Sequence, residues 1–335
     1  KPAQQAKVCN DANPAHVPPL SQDPPLEFKS FDASKTLPFN YTKYTWFAFT
    51  GELELPEGYD ESQHLVRFQF DVNNNWVGNT GDDDTPSGPE GRYWIGDSQI
   101  CAIDSFHNGA MLDWDKLSNH TLQLRVFSGR AKAMHTLQTF GIYLVHKDTE
   151  AFYQRLRYLI EIINQLSDTN PDKPQLLRVV DRAVRKLDIR ELHYPLDLFD
   201  IRLQDTKYKS FYDSTKAALD TLKQGLAEMP KPQEGDPTIS IVGYSHIDTM
   251  WLWPINITHF KVSNTAMSML YLQEHPPHDF ENPVQWKFLA TAPQHYKWMK
   301  EDIKPLFDRV IKKAKEGLWD INGLMWLEPD TNNPS

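Results

Sequence analysis

The stretch Thr238-Ile239-Ser240-Ile241-Val242-Gly243-Tyr244-Ser245-His246-Ile247-Asp248 decides the reading of the fold. It opens with a short β-branched run, Thr238 to Val242, of the kind buried in a parallel sheet. His246 and Asp248 follow on a segment that is still extended, where side chains two apart share a face. Downstream come a helical stretch from about Ile257 to Gln273 and a strand candidate from Trp286 to Ala290. A second helix opens with Pro305 in its first turn and carries Leu306, Phe307, Val310, Ile311 and Ala314 on one face. Gly317 stands where its C-terminal cap is expected. Leu318 to Met325 is a third strand candidate, and Asp330 follows it as His246 and Asp248 follow the first. Strand, helix, strand, helix, strand is the start of an α/β barrel or of a doubly wound sheet. Three strands cannot close a barrel, so the remaining strands are expected in sequence beyond this chain. His246, Asp248 and Asp330, each at the mouth of a strand, are ligand types that suit one divalent metal.

Upstream, Lys231 to Pro237 is a polar Pro/Gly linker, the clearest domain boundary. Before it the apolar residues fall at helical spacing: Phe152, Leu156, Leu159, Ile160 and Ile163; Leu176, Val180, Ala183, Val184 and Leu187; Phe211, Ala218, Leu219, Leu222 and Leu226. Further back the period becomes two, as in Val66, Phe68, Phe70 and Val72, and again in Leu122, Leu124 and Val126. Phe47 to Leu55, Tyr93 to Ile95 and Phe140 to Val145 are strand-like as well. Short alternating segments split by Asn/Gly/Asp/Pro-rich loops predict an antiparallel β-sandwich. Trp76 and Trp114 either stack on sugars or close the ends of the sandwich core. Residues before about 40 are rich in Pro, Ala, Asn and Gln without periodicity. The expected organisation is therefore multidomain, α/β plus all-β. It comprises an extended arm over 1–40, a β-sandwich over 41–148, a helical linker region over 149–236, and the first part of a β/α barrel over 237–335.

Of the 335 residues, 40% are hydrophobic, and no apolar run approaches a membrane span, so a soluble globular protein is expected. A net charge of −10 argues against a general nucleic-acid binder, whose phosphate contacts need clustered Lys and Arg. Cys9 and Cys101 are the only cysteines, too few for a disulfide scaffold. Sequons at Asn40, Asn119 and Asn256 are read as chance matches. No leader opens the sequence.

A His-x-Asp pair alone is commonplace, but its frame, Gly243 to Pro254, is not: it reads Gly-Tyr-Ser-His-Ile-Asp-Thr-Met-Trp-Leu-Trp-Pro. With Gly323-Leu324-Met325-Trp326-Leu327-Glu328-Pro329-Asp330-Thr331-Asn332, Gln294 to Trp298 and Glu316 to Trp319, it resembles the zinc α-mannosidases of glycoside hydrolase family 38. Their cytosolic and fungal vacuolar branch is most similar, over roughly 238–335.

The resemblance implies that His246 and Asp248 ligate zinc and that Asp330 is both a ligand and the catalytic nucleophile. It implies that Trp251 lines the mannose subsite and Trp326 its wall; core aromatics beside a turn are the plain alternative. The implied activity is exo-acting hydrolysis, with retention, of terminal α-linked mannose from oligosaccharides. Cobalt is an alternative to zinc, because such sites select weakly between them. A homotetramer, contact with an autophagy receptor, and a cytoplasmic or vacuolar/lysosomal location reached without a leader are implied in the same way. Neither nucleic acid nor membrane is an expected partner. Two departures stand out. Tyr244 replaces the first histidine of the family pattern, and the family's fourth zinc ligand and general acid lie downstream of Asp330. Glu328 is a tempting acid/base, but Pro329 signals a turn and the family gives it no such role. A zinc deacetylase-type hydrolase and a catalytically inactive carbohydrate-binding or scaffolding protein are the rival readings; the Trp-rich flanks favour sugar stacking over the former.

Overall fold

The computed structural model describes residues 6–11, 29–31, 46–75, 90–104, 107–127, 134–190, 209–231, 233–235, 237, 239–251, 253–276, 285–323 and 325–327; side chains are described outside 6–11, 29–31, 46–49, 71–75, 99 and 134–139. Asn40, Trp76, Thr238, Glu328 and Asp330 lie outside the described residues.

Nine strands are described before the first α-helix: β1 (Ala6–Asp11), β2 (Lys29–Phe31), β3 (Trp46–Glu52), β4 (His64–Asn75), β5 (Glu90–Ile95), β6 (Ser98–Ile103), β7 (Gly109–Leu112), β8 (Thr121–Phe127) and β9 (Met134–His146). They form one sheet in the order β2-β1-β3-β8-β5-β6 and another in the order β7-β4-β9, every pair antiparallel. The period-two residues do what alternation requires. Val66, Phe68 and Phe70 of β4 meet Tyr93 and Ile95 of β5 and Leu122, Leu124 and Val126 of β8 in one core. Phe68 is fully buried, its ring 4.8 Å from that of Tyr93. Burying each such side chain is worth roughly 1.5–3 kcal/mol. Trp114 belongs to this core and stacks on His120 with centroids 4.0 Å apart, so it closes the core and does not offer a sugar platform.

Two features of this region are absent from the periodicity. β1 and β2 fall within the expected arm and extend the larger sheet, β1 pairing with β3 in register Lys7↔Thr50 to Asp11↔Trp46. β6 follows β5 through a two-residue turn at Gly96-Asp97, where Gly96 has φ +57°. That backbone favours glycine, and the dipeptide is itself a hairpin signal. Cys101 on β6 is buried, which pushes its thiol up to about 12 and leaves it inert at neutral pH.

Helix α1 (Lys147–Gln165) begins where β9 ends, capped by His146, whose Nδ1 accepts the Thr149 N–H at 3.3 Å. With α2 (Asp172–Val184) and α3 (Lys209–Ala227) it encloses a core of Phe152, Leu159, Ile163, Val179, Ala183 and Leu222, among others. A Cβ at Gly225 would lie 2.7 Å from Val179 Cγ1, so glycine is what lets α2 and α3 approach.

The last segment runs β10 (Gly243–Tyr244), α4 (Ile255–Glu274), β11 (Phe288–Ala290), α5 (Pro293–Asp302), α6 (Lys304–Lys315) and β12 (Trp319–Ile321). The three strands are parallel and adjacent in chain order. Phe288 and Trp319 pack under Val262, Met267, Tyr296 and Leu306, so α4, α5 and α6 all cover one face. The register places Tyr244, Leu289 and Asp320 side by side on the other. α6 ends as expected: Gly317 has φ +74°, Leu318 N–H donates to Lys313 C=O at 3.0 Å and Gly317 N–H to Ala314 C=O at 3.1 Å.

The expected buried strand Thr238 to Val242 requires correction. The described residues Ile239 to Val242 are not in the sheet, and Ile239 and Ile241 are 83% and 86% exposed. The cause is the ladder. β11 is only Phe288–Ala290 and its pairing with β10 starts at Gly243↔Phe288, so no rung remains for the preceding residues. For the same reason the second and third strands are shorter than their apolar runs. α5 was not expected at all, because only Tyr296 and Met299 are buried along it, too sparse for a helical period.

α4 joins the regions. Its buried residues fall on every side, as in a helix enclosed by protein. Tyr271 sits in the core of the antiparallel sheets, where its Oη accepts the Met111 N–H at 2.6 Å and donates to Met111 C=O at 3.2 Å.

Candidate active site at the end of the first parallel strand

Beyond Tyr244 the chain stays extended through Asp248, and alternation puts Tyr244, His246 and Asp248 on one side. His246 Nε2 lies 3.1 Å from Asp248 Oδ1, and Tyr244 Oη lies 3.3 Å from His246 Nδ1. All three side chains are open to solvent. Ser245 and Ile247 point the opposite way and line, with Thr265, Ala290, His295 and Trp319, a cavity of ≈ 30 Å³ between the sheet and its helices. That space has room for roughly two waters and cannot take a sugar ring. Only the open side has room for a ligand of that size.

The loop after Asp248 is pinned from below. Fully buried Thr258, in the first turn of α4, accepts at its Oγ1 from Met250 N–H and from Trp253 Nε1–H, both at 3.2 Å. Met250 has φ +59°, a conformation an unbranched side chain adopts at some cost, held here by that bond. Trp251 stands 58% exposed with its ring against Trp253, centroids 5.3 Å apart and interplanar angle 86°. The Lys261 ammonium lies 4.4 Å from the Trp253 ring centroid and pairs with Glu90 of β5, so the antiparallel region buttresses the loop. On the other flank, Trp326 is 57% exposed and tied to the start of α5: its Nε1–H donates to Gln294 Oε1, and Gln294 N–H donates to Trp326 C=O at 3.0 Å.

Thus the structure brings His246 and Asp248 together and presents Trp251 and Trp326 to solvent beside the same sheet. Asp330 lies outside the described residues, and among the described residues no group of three His, Cys, Asp or Glu side chains is placed to hold a metal. The pair itself fits one edge of a metal shell. Zinc takes nitrogen and oxygen ligands at about 2.0–2.2 Å, which puts two tetrahedral ligands roughly 3.3–3.6 Å apart, so the pair needs to open only slightly. Thr258, the tie of Gln294 to Trp326 and the Tyr244 contact went unread in the sequence. Only Tyr244 carried a local signal, its place two residues before His246 on one face.

Residues 236–335 match the family model described as Glycosyl hydrolases family 38 N-terminal domain. This part of the chain is thus similar to the N-terminal domain of family 38. The chain is 24% identical over 351 aligned residues to an alpha-mannosidase of Saccharomyces cerevisiae, covering 98% of this chain and 29% of that protein. Alpha-mannosidase G of Dictyostelium discoideum is 32% identical over 103 residues, 30% of this chain and 9% of that one. Alpha-mannosidase 2C1 of Homo sapiens is 32% identical over 102 residues, with the same 30% and 9% coverage. The chain therefore spans less than a third of each of these relatives. Among solved structures, the CBM51-2 and INT domains of Clostridium perfringens ZmpB align with 68% of this chain and 40% of that chain, at 11% identity and a TM-score of 0.17, a level that carries no statement about fold. The two family 38 segments on which the resemblance rests, Gly243 to Pro254 and Gly323 to Asn332, both lie inside the matched region.

Proposed function

We propose that residues 237–335 are the first part of the catalytic domain of a zinc-dependent, retaining, exo-acting α-mannosidase, preceded by a β-sandwich over 41–148 and a helical layer over 149–236. The observation that carries the proposal is the His246–Asp248 pair, 3.1 Å apart on the helix-free side of a family 38 segment. Parallel strands in chain order with every helix on one face support a barrel over a doubly wound sheet, whose helices lie on both faces.

In this reading His246 and Asp248 hold the metal with Asp330. A zinc ion bound there supplies charge that grips vicinal sugar hydroxyls and keeps a neighbouring carboxylate ionised; cobalt can serve in its place. Asp330 attacks the anomeric carbon as the glycosidic oxygen departs with a proton from a general acid, and water then releases the sugar from the glycosyl ester. Trp251 and Trp326 offer exposed aromatic faces for the apolar side of the ring. The substrate is mannose-containing oligosaccharide. The assembly is a homotetramer in the cytoplasm or a vacuole, in contact with an autophagy receptor. No described helix is long and apolar enough to cross a membrane.

The test is metal content together with release of mannose from an aryl α-mannoside by the full-length protein. Zinc-dependent release with retained anomeric configuration is expected. Release of acetate from an N-acetylated sugar would favour the deacetylase reading. Mannoside binding without turnover in zinc-replete protein would leave the binding or scaffolding reading in its place.

A further inference from the structure

Tyr244 stands where the family pattern has histidine, and as sequence it counts only as a lost imidazole. The structure gives it a task. Its Oη lies 3.3 Å from His246 Nδ1 while Nε2 of the same ring lies 3.1 Å from Asp248 Oδ1. Both nitrogens are thus engaged, one by each neighbour on the shared face. The two neighbours differ in footing. Tyr244 is on the ladder, paired in register with Leu289, and Gly243 before it donates its N–H to Lys287 C=O at 2.9 Å. His246 and Asp248 come after the last rung. The sheet fixes the phenol, and the phenol fixes the imidazole.

We infer that Tyr244 is the positioning residue for His246, orienting the ring so that Nε2, beside Asp248, is the nitrogen offered to a metal. This rests on the metal-binding reading proposed above. A neutral imidazole has one free lone pair, and the partner of the other nitrogen decides which atom carries it. A phenol both donates and accepts. Without metal, the Oη–H donates to Nδ1 and the ring proton sits on Nε2, donating to Asp248. With Nε2 on a metal, that proton resides on Nδ1 and donates to Oη, whose own hydrogen turns away. The ring stays neutral, and no proton is gained or lost. Phenylalanine can do neither half of this exchange; histidine can do both.

The experiment strips the full-length protein of metal and titrates it with Zn(II) against a chromophoric chelator and with Co(II) by visible absorption. Wild type, Tyr244→Phe, Tyr244→His and His246→Ala are compared. The Tyr244 side chain is 45% exposed and Phe keeps its ring, so thermal stability is expected to be unchanged. Zn(II) affinity of Tyr244→Phe is expected to fall about tenfold, the lower end for outer-shell partners, with shifted Co(II) bands. Tyr244→His is expected within about twofold of wild type, by the same principle of outer-shell support. Wild-type affinity and spectrum in Tyr244→Phe, or equal weakening in both Tyr244 variants, would overturn the inference and leave the metal reading standing. Metal binding absent from wild type, or unaffected by His246→Ala, would remove that reading and this one together.

Discussion

The antiparallel region and the parallel one treat their large apolar side chains in opposite ways. Between β3 and β9, Tyr143 is the one large hydrophobic residue counted as exposed among those described. Around the parallel sheet, Ile239, Ile241, Tyr244, Met250, Trp251, Ile321, Met325 and Trp326 are all exposed. In the first region two sheets each cover the other's inner face. In the second, α4, α5 and α6 cover one face only, and Tyr244, His246 and Asp248 lie on the other. The closed antiparallel core is where stability is made; the open face carries the His246–Asp248 pair.

The contrast makes opposite demands of mutations in the two regions. The largest effect is expected at Asp330. Asp330→Asn in the full-length protein should leave folding intact, since the shapes are nearly equal, and lower turnover by several orders of magnitude through loss of the nucleophile. Turnover above about a tenth of wild type, a deficit under 1.4 kcal/mol, would remove Asp330 from that role. His246→Ala should also abolish activity, and excess zinc or cobalt should restore part of it.

Next in size is the core of the antiparallel sheets. Phe68→Ala, at a fully buried site, should destabilise the protein by about 3–5 kcal/mol in denaturant titrations. Trp251→Ala should cost no more than about 0.5 kcal/mol and instead raise KM for an aryl mannoside. A reversed order would break the division between a stability region and a ligand region.

Thr258 lies between these extremes, being buried yet directly beneath the site loop. Thr258→Val keeps the shape and strands two donors, Met250 N–H and Trp253 Nε1–H. Stability should fall by about 1–3 kcal/mol and KM should rise with it. A loss of stability with unchanged KM would show that the loop's geometry does not matter to the ligand.

The smallest effect is one of pH, and it belongs to the antiparallel and helical regions. Burial holds His146 and His64 below the usual histidine value, against the opposing pull of Asp148 and Asp60 respectively. Their stabilising effect is present in full above the unfolded-state value of about 6.5 and is lost as pH falls through the lower folded-state values, because the unfolded chain takes up protons first. Protonated His146 also cannot accept the Thr149 N–H that caps α1. His107, raised chiefly by its hydrogen bond to Asp104, acts in the opposite sense. A thermal melt series from about pH 7.5 to 5 should show declining stability, and His146→Gln should flatten the slope. An unchanged slope in that variant would assign the titration elsewhere.

What the chain determined unaided is local. Alternation placed β4, β5 and β8, helical spacing placed α1 to α3 and α6, and Gly317 marked the end of α6, because these patterns depend only on residues a few positions apart. The His246–Asp248 pair was legible for the same reason, both residues sharing one face of one extended segment. Tertiary structure decided everything that depends on a partner from elsewhere in the chain. The run before Gly243 reads as a buried strand, but it is exposed because β11 offers it no rung. Trp114 could have faced sugar or core; His120 and the opposite sheet settle it inside. α4 is apolar on all sides, which says that it is enclosed but not by what; only the fold brings Tyr271 to Met111 and Thr258 beneath Met250. Spacing fixes which side chains share a face, and packing decides what that face meets.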